Sequence, residues 1–114
     1  MTRNRFGIPD DVIALIRERD KNCAYCGKEM IFPYQRANAV DSATIEHLHH
    51  KEPFYWKDGL LAEDIVITCG ACNSSRGQKL LHEWFESAYC RKRSINAETV
   101  SAEVRAYLTR KVGR

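Results

Sequence analysis

Two stretches decide how this chain folds: Cys23-Ala24-Tyr25-Cys26-Gly27 and, forty-two residues later, Cys69-Gly70-Ala71-Cys72-Asn73-Ser74-Ser75-Arg76-Gly77. Each opens on a C-x2-C pair, a spacing that lets both sulfurs of one turn reach a single ion at about 2.3 Å; four converging thiolates are what structural zinc prefers. Gly27, directly after the second thiolate, permits the positive φ that such a turn needs. The connecting segment exceeds the roughly 15–20 residues of compact zinc ribbons, so something is inserted between the two knuckles. Two other uses of cysteine compete. A redox C-x2-C needs one pair rather than two, and a pair of disulfides is disfavoured in a reducing compartment. Cys90, the fifth cysteine, shares a helical stripe with Trp84, Phe85 and Ala88 and reads as a small buried residue.

Outward from the knuckles, Pro9, Asp10 and Asp11 followed by Val12, Ile13, Leu15 and Ile16 predict an amphipathic helix running to about Asp20. Residues 31–42 carry no clear period and read as loop with some strand. Thr44-Ile45-Glu46-His47-Leu48 is a strand candidate. Residues 51–62, with Pro53, Gly59 and Phe54-Tyr55-Trp56, read as a surface loop whose aromatics either stack on bases or, the favoured reading, pack the loop down. Residues 63–68 lead into the second knuckle, and a helix opens around Asn73. Leu80, Leu81, Trp84, Phe85 and Ala88 then recur at helical spacing as core. Asn96 is a candidate N-cap for a last helix bearing Val100, Val104, Tyr107 and Leu108.

At 114 residues with 44% hydrophobic and 29% charged side chains, the chain is expected to fold as one domain, 1–114, with no second core. Its longest apolar run, 12–16, is far short of the roughly 20 residues that span a bilayer. Residues 1–7 are basic with no apolar run of signal length behind them, so a cytoplasmic chain is the expectation. The net charge of +3 is unevenly spread: +2 over 1–40, −4 over 41–75 and +5 over 76–114. An acidic centre between basic flanks suits a cation site within a polyanion-binding surface. Ordinary solvated helix faces give the same pattern.

The order Arg19-Asp20-Lys21-Asn22-Cys23…Cys26-Gly27, Thr44-Ile45-Glu46-His47-Leu48, Glu63-Asp64-Ile65-Val66-Ile67-Thr68-Cys69…Cys72-Asn73-Ser74-Ser75-Arg76-Gly77 resembles the HNH endonuclease family, in the branch whose ββα-metal motif is clasped by a four-cysteine zinc site. The resemblance spans about residues 17–79. It implies a small α+β, zinc-stapled ββα-metal (HNH/His-Me finger) core with N- and C-terminal helices, the C-terminal extension covering about 80–112. It implies a divalent-metal-dependent hydrolase of DNA phosphodiester bonds. In it His47 is the general base, Glu46 and Asn73 hold a catalytic Mg2+, Mn2+ or Ni2+, and Cys23, Cys26, Cys69 and Cys72 hold structural zinc. Three positions depart from the family pattern. Glu46 stands for the commoner aspartate, Asp64 for the central asparagine, and His47-Leu48-His49-His50 replaces the usual His-x-x-Pro. An ionised Asp64 only accepts hydrogen bonds, so either it orients His47 or the loop is held differently.

Phosphodiester hydrolysis needs an activated water, charge neutralisation and help for the leaving oxygen. A neutral imidazole can take the proton. Arg76, three residues after Asn73, and Lys79 are candidates to grip phosphates, with Arg91-Lys92-Arg93 extending the track. One geometric tension is visible in advance. Glu46 and His47 leave a regular strand on opposite faces, so both reach one phosphate only where the strand ends, twists or bulges. His49 shares the side of His47 and is a rival base or ligand, while His50 and His82 read as surface residues. Duplex DNA is the expected partner, and cutting both strands with one site would require a dimer. The rivals are a zinc-containing nucleic-acid-binding module without turnover and a zinc-stapled protein-interaction domain.

Overall fold

The computed structural model describes residue 4, residues 6–49 and residues 54–112. Pro9 sits in extended conformation at the entry to α1 (Asp10–Arg19), with Asp10 and Asp11 in the first turn and Arg17 and Arg19 in the last, the charge order a helix dipole favours. Asp20 ends the helix and turns its carboxylate inward, where Arg19 binds it and it accepts the Ile67 N–H at 3.0 Å.

The central sheet is a two-stranded antiparallel pair. β1 (Ala43–His47) runs against the strand Ile65–Cys69, with Ala43 opposite Cys69 and His47 opposite Ile65. Between them lie two very short strands, β2 (Tyr55–Trp56) and β3 (Gly59–Leu60), so Ile65–Cys69 is β4. All five β4 residues are buried. Its outer edge is closed by the Asp20 carboxylate on Ile67 N–H and by Ala24 N–H donating to Ile67 O at 3.1 Å, which leaves no open ladder there.

α2 (Gly70–Arg76) follows β4 directly. It starts earlier than the sequence suggests because Cys69 Sγ accepts the Cys72 N–H and caps it. Gly70 is required here by close approach: a Cβ would lie 1.9 Å from the Ala39 carbonyl oxygen. Beyond it the apolar stripe divides into two helices, α3 (Leu81–Phe85) and α4 (Ala88–Arg93), because Ser87 Oγ accepts the Cys90 N–H and starts a new cap. Asn96 caps a turn, accepting the Glu98 N–H at 2.9 Å, and α5 (Ala102–Val112) begins six residues later behind Ser101. Residues 36–41 form a short 3-10 turn. Of the 51–62 loop only the part from Phe54 lies within the described residues.

Side chains alternate across the sheet and build two cores. Val66 faces Tyr25, Trp84, Cys90, Val100 and Val104 on the side of the knuckles and C-terminal helices. Ile65 and Ile67 face Phe6, Ile8, Ile16 and Leu60 on the side of α1, with Ala43 and Ile45 of β1 packed against them. Met30 touches both clusters. The result is a small α+β fold of helices and a few short strands with a four-cysteine cluster. No helix among the described residues is long and apolar enough to cross a membrane.

Candidate functional site

The knuckles meet as the spacing predicts. Ligand atoms of Cys23, Cys26, Cys69 and Cys72 all lie within 4.8 Å of one another, and Cys26 and Cys69 are 3.9 Å apart. Sulfurs at about 2.3 Å around a tetrahedral ion would stand about 3.8 Å apart, so the quartet fits zinc. Gly27 adopts φ +81° and donates to Cys23 O, closing the first turn. None of the five cysteines is in a disulfide, and Cys90 is fully buried. Hydrogen bonding within the quartet splits the thiols. Bonds from Cys23 hold Cys26 well below the usual thiol range and bring Cys69 to about 6, whereas Cys23 and Cys72 are pushed up. Two more donors reach these sulfurs: Cys69 N–H to Cys23 Sγ at 3.3 Å, and Tyr89 Oη to Cys72 Sγ at 3.3 Å. Burial and the neighbouring Cys72 push the Tyr89 phenol up, so it stays a donor, and Arg93 lies 3.7 Å over its ring. Tyr89 carries no one-dimensional sign of this contact.

Glu46 and Arg76 stand elsewhere than the family resemblance puts them. Glu46 is 3% exposed and Arg76 2%, and they form a buried ion pair with Nη1 to Oε2 at 3.0 Å. Tyr25, the residue between the first two cysteines, donates its hydroxyl to the same Oε2 at 2.7 Å. Burial pushes the Glu46 carboxyl above its ordinary range, against the pull of Arg76 and Tyr25. Nη1 also reaches Tyr25 Oη at 3.2 Å, and the guanidinium binds three carbonyls besides: Nη1 to His47 O at 2.9 Å, Nη2 to Leu48 O at 2.7 Å, and Nε to Lys79 O at 2.9 Å. Arg76 therefore faces the interior and is not placed to grip a phosphate.

Asn73 shares this face. Its Nδ2 donates to Thr44 Oγ1 at 2.9 Å and Ile45 O at 3.2 Å, tying α2 to β1. Only its carbonyl oxygen remains for other use, beside a cleft of about 140 Å³ lined also by Thr44, Gly70 and Ser74. With the Glu46 carboxylate bonded to Arg76 and Tyr25, Glu46 and Asn73 do not fit a divalent cation in this arrangement.

His47 is on the other side of β1. The strand stays regular to its last pair, so adjacent side chains diverge, and His47 stacks on Phe54 at 3.9 Å with Phe6 edge-on at 5.8 Å. Phe54 thus packs onto His47, while Tyr55 is exposed. His47 Nδ1 lies 2.9 Å from His49 O. Asp64 does not orient the imidazole. Its carboxylate accepts the Leu61 N–H at 3.1 Å, and its backbone oxygen accepts the Leu48 N–H at 2.8 Å, so the central loop is held by a capped 3-10 turn. The His49 ring is 5.8 Å from that of His47, and both its nitrogens are buried without a hydrogen-bond partner among the described residues. Lys79 and His82 are exposed; His50 lies outside the described residues. In the basic run Arg91 pairs with Glu86, Arg93 stacks on Tyr89, and Lys92 is exposed.

Compared with known proteins, the chain matches no family model, no curated protein and no solved structure.

Proposed function

We propose that the chain is a zinc-stapled endonuclease of the HNH type, hydrolysing DNA phosphodiester bonds with His47 as general base. What supports this is the chain order of the resemblance combined with one contact, His47 Nδ1 on the His49 carbonyl. A carbonyl only accepts, so Nδ1 carries the proton and the basic lone pair of the neutral ring is on Nε2. Nε2 takes a proton from water, the hydroxide oxygen bonds to phosphorus, and the bond from phosphorus to the leaving 3′-oxygen breaks. The leaving oxygen takes a proton from solvent. Imidazole titrates near neutrality and so suits this exchange. Phe54 against the ring face restricts it to one orientation, which is the contribution expected of a positioned base. The family's catalytic Mg2+, Mn2+ or Ni2+ would supply Lewis-acid chemistry at the phosphate, but with Glu46 spent on Arg76 and Tyr25 no step is assigned to it.

The buried Glu46–Arg76 pair favours a second reading, a zinc-stapled module that binds nucleic acid without turnover. Supercoiled plasmid incubated with the purified protein and Mg2+, Mn2+ or Ni2+, against an EDTA control, separates the two. The nuclease nicks in at least one cation, and His47→Ala abolishes nicking while zinc content and DNA affinity stay unchanged. Salt-dependent DNA binding with no nicking in any cation means the module instead.

A further inference from the structure

We infer that Arg76 is a positioning residue, a clamp on the end of β1 that sets the direction in which His47 leaves the strand, with Glu46 as its buried counter-ion. This rests on His47 being the base. β1 ends at His47, so the carbonyls of His47 and Leu48 fall where the ladder stops. Arg76 Nη1 and Nη2 take those two carbonyls at 2.9 and 2.7 Å, supplying partners that β4 does not offer. Asp64 O holds the intervening Leu48 N–H at 2.8 Å. The segment from which the imidazole projects is therefore fixed from two sides. Nε anchors the other end of the fork to Lys79 O, just after α2, so the clamp ties helix to strand.

The pattern needs arginine. Five N–H donors in a planar fork reach three carbonyls, a carboxylate and a hydroxyl, whereas a lysine ammonium has three donors around one point. A cation buried to 2% exposure also needs a counter-charge, and Glu46 supplies it at 3.0 Å. Withdrawing either partner to serve a phosphate or a metal would strand the other in the interior.

Arg76→Lys and Glu46→Gln, measured beside wild type, test the clamp. Arg76→Lys is expected to lower kcat roughly a hundredfold, the scale of an ångström of misplacement. KM for duplex DNA, the salt dependence of binding and the zinc content should hold. A kcat at wild-type level overturns the clamp. So does a raised KM with the salt slope reduced by about one, the signature of a phosphate contact. If Arg76→Lys loses its zinc and its fold, Glu46→Gln decides the matter. A counter-ion role lowers kcat with the cation concentration for half-maximal cleavage unchanged, whereas a rise in that concentration makes Glu46 a metal ligand and overturns the proposal. If wild type fails to nick at all, the nuclease reading falls by itself and ring nitrogen NMR judges the clamp. A His47 Nδ1–H signal present in wild type and lost in Arg76→Lys, or in Glu46→Gln where that variant alone folds, sustains it; an unchanged signal refutes it.

Discussion

The two faces of β1 treat their polar groups in opposite ways. Towards α2, Thr44, Glu46, Asn73, Tyr25 and Arg76 interlock, and the buried charges are paired and further hydrogen-bonded. Towards α1 and the β2–β3 segment, His47 is stacked on Phe54 and held at Nδ1, and His49 buries two ring nitrogens with no partner among the described residues. A satisfied polar network in a low-dielectric interior specifies a structure, whereas an unsatisfied polar group is a cost that the fold carries. The difference marks the α2 face as architecture, although the family resemblance puts the metal ligand and the phosphate grip there.

Both faces hang from the cysteine quartet, so stripping zinc has the largest expected effect. Structural zinc contributes apparent binding free energies of about 10–16 kcal/mol in small domains, and that energy is folding energy. One zinc per chain is expected by elemental analysis. Treatment with a strong chelator should abolish near-ultraviolet circular dichroism, and added zinc should restore it. A chelated protein that keeps its tertiary signal would mean that the two apolar clusters alone hold β1 to α2.

Next in size is the buried pair itself. Glu46→Leu leaves Arg76 uncompensated in the interior and is expected to cost about 3–5 kcal/mol in urea denaturation of the zinc-loaded protein. Adding Arg76→Met should cost less than the two single changes summed, with a coupling of at least about 1 kcal/mol. Additive costs would show that the two groups do not depend on each other, and the contrast between the faces would lose its main support.

How much of this was legible in one dimension follows from the range of the interactions. The quartet was readable because each knuckle is a local turn, with its own spacing and, at Gly27, its own glycine. α1 was readable because Pro9, the aspartates and the apolar period lie within ten residues of one another. Period-two alternation also foretold that Glu46 and His47 diverge. It could not tell which face is deep. That depends on Trp84 and Tyr25 arriving from residues far along the chain to seal the α2 side, which turns a candidate metal ligand into a counter-ion. Tyr25 was invisible for the same reason, standing as a spacer inside the first C-x2-C. Asn96 misled locally: its side chain caps a nearer turn at Glu98, and the helix waits for Ser101.

The smallest expected effect has the opposite sign and tests the other half of the comparison. His49 gives up solvent at both ring nitrogens and regains no hydrogen bond among the described residues, while its ring packs edge-on against Phe54 at 5.0 Å. Phenylalanine there keeps the aromatic contact and removes both stranded groups. Replacing an unsatisfied polar group by an apolar one of similar shape is nearly neutral or stabilising, so His49→Phe should leave stability unchanged or raise it by up to about 1–3 kcal/mol. Urea midpoints at constant m-value would measure it. A clear loss of stability would mean that the His49 nitrogens are bonded in solution, by water or an ion, and that the histidine face is as fully satisfied as the face towards α2. Stability gained together with slower nicking would place His49 among the groups that this face keeps for its chemistry at the expense of the fold.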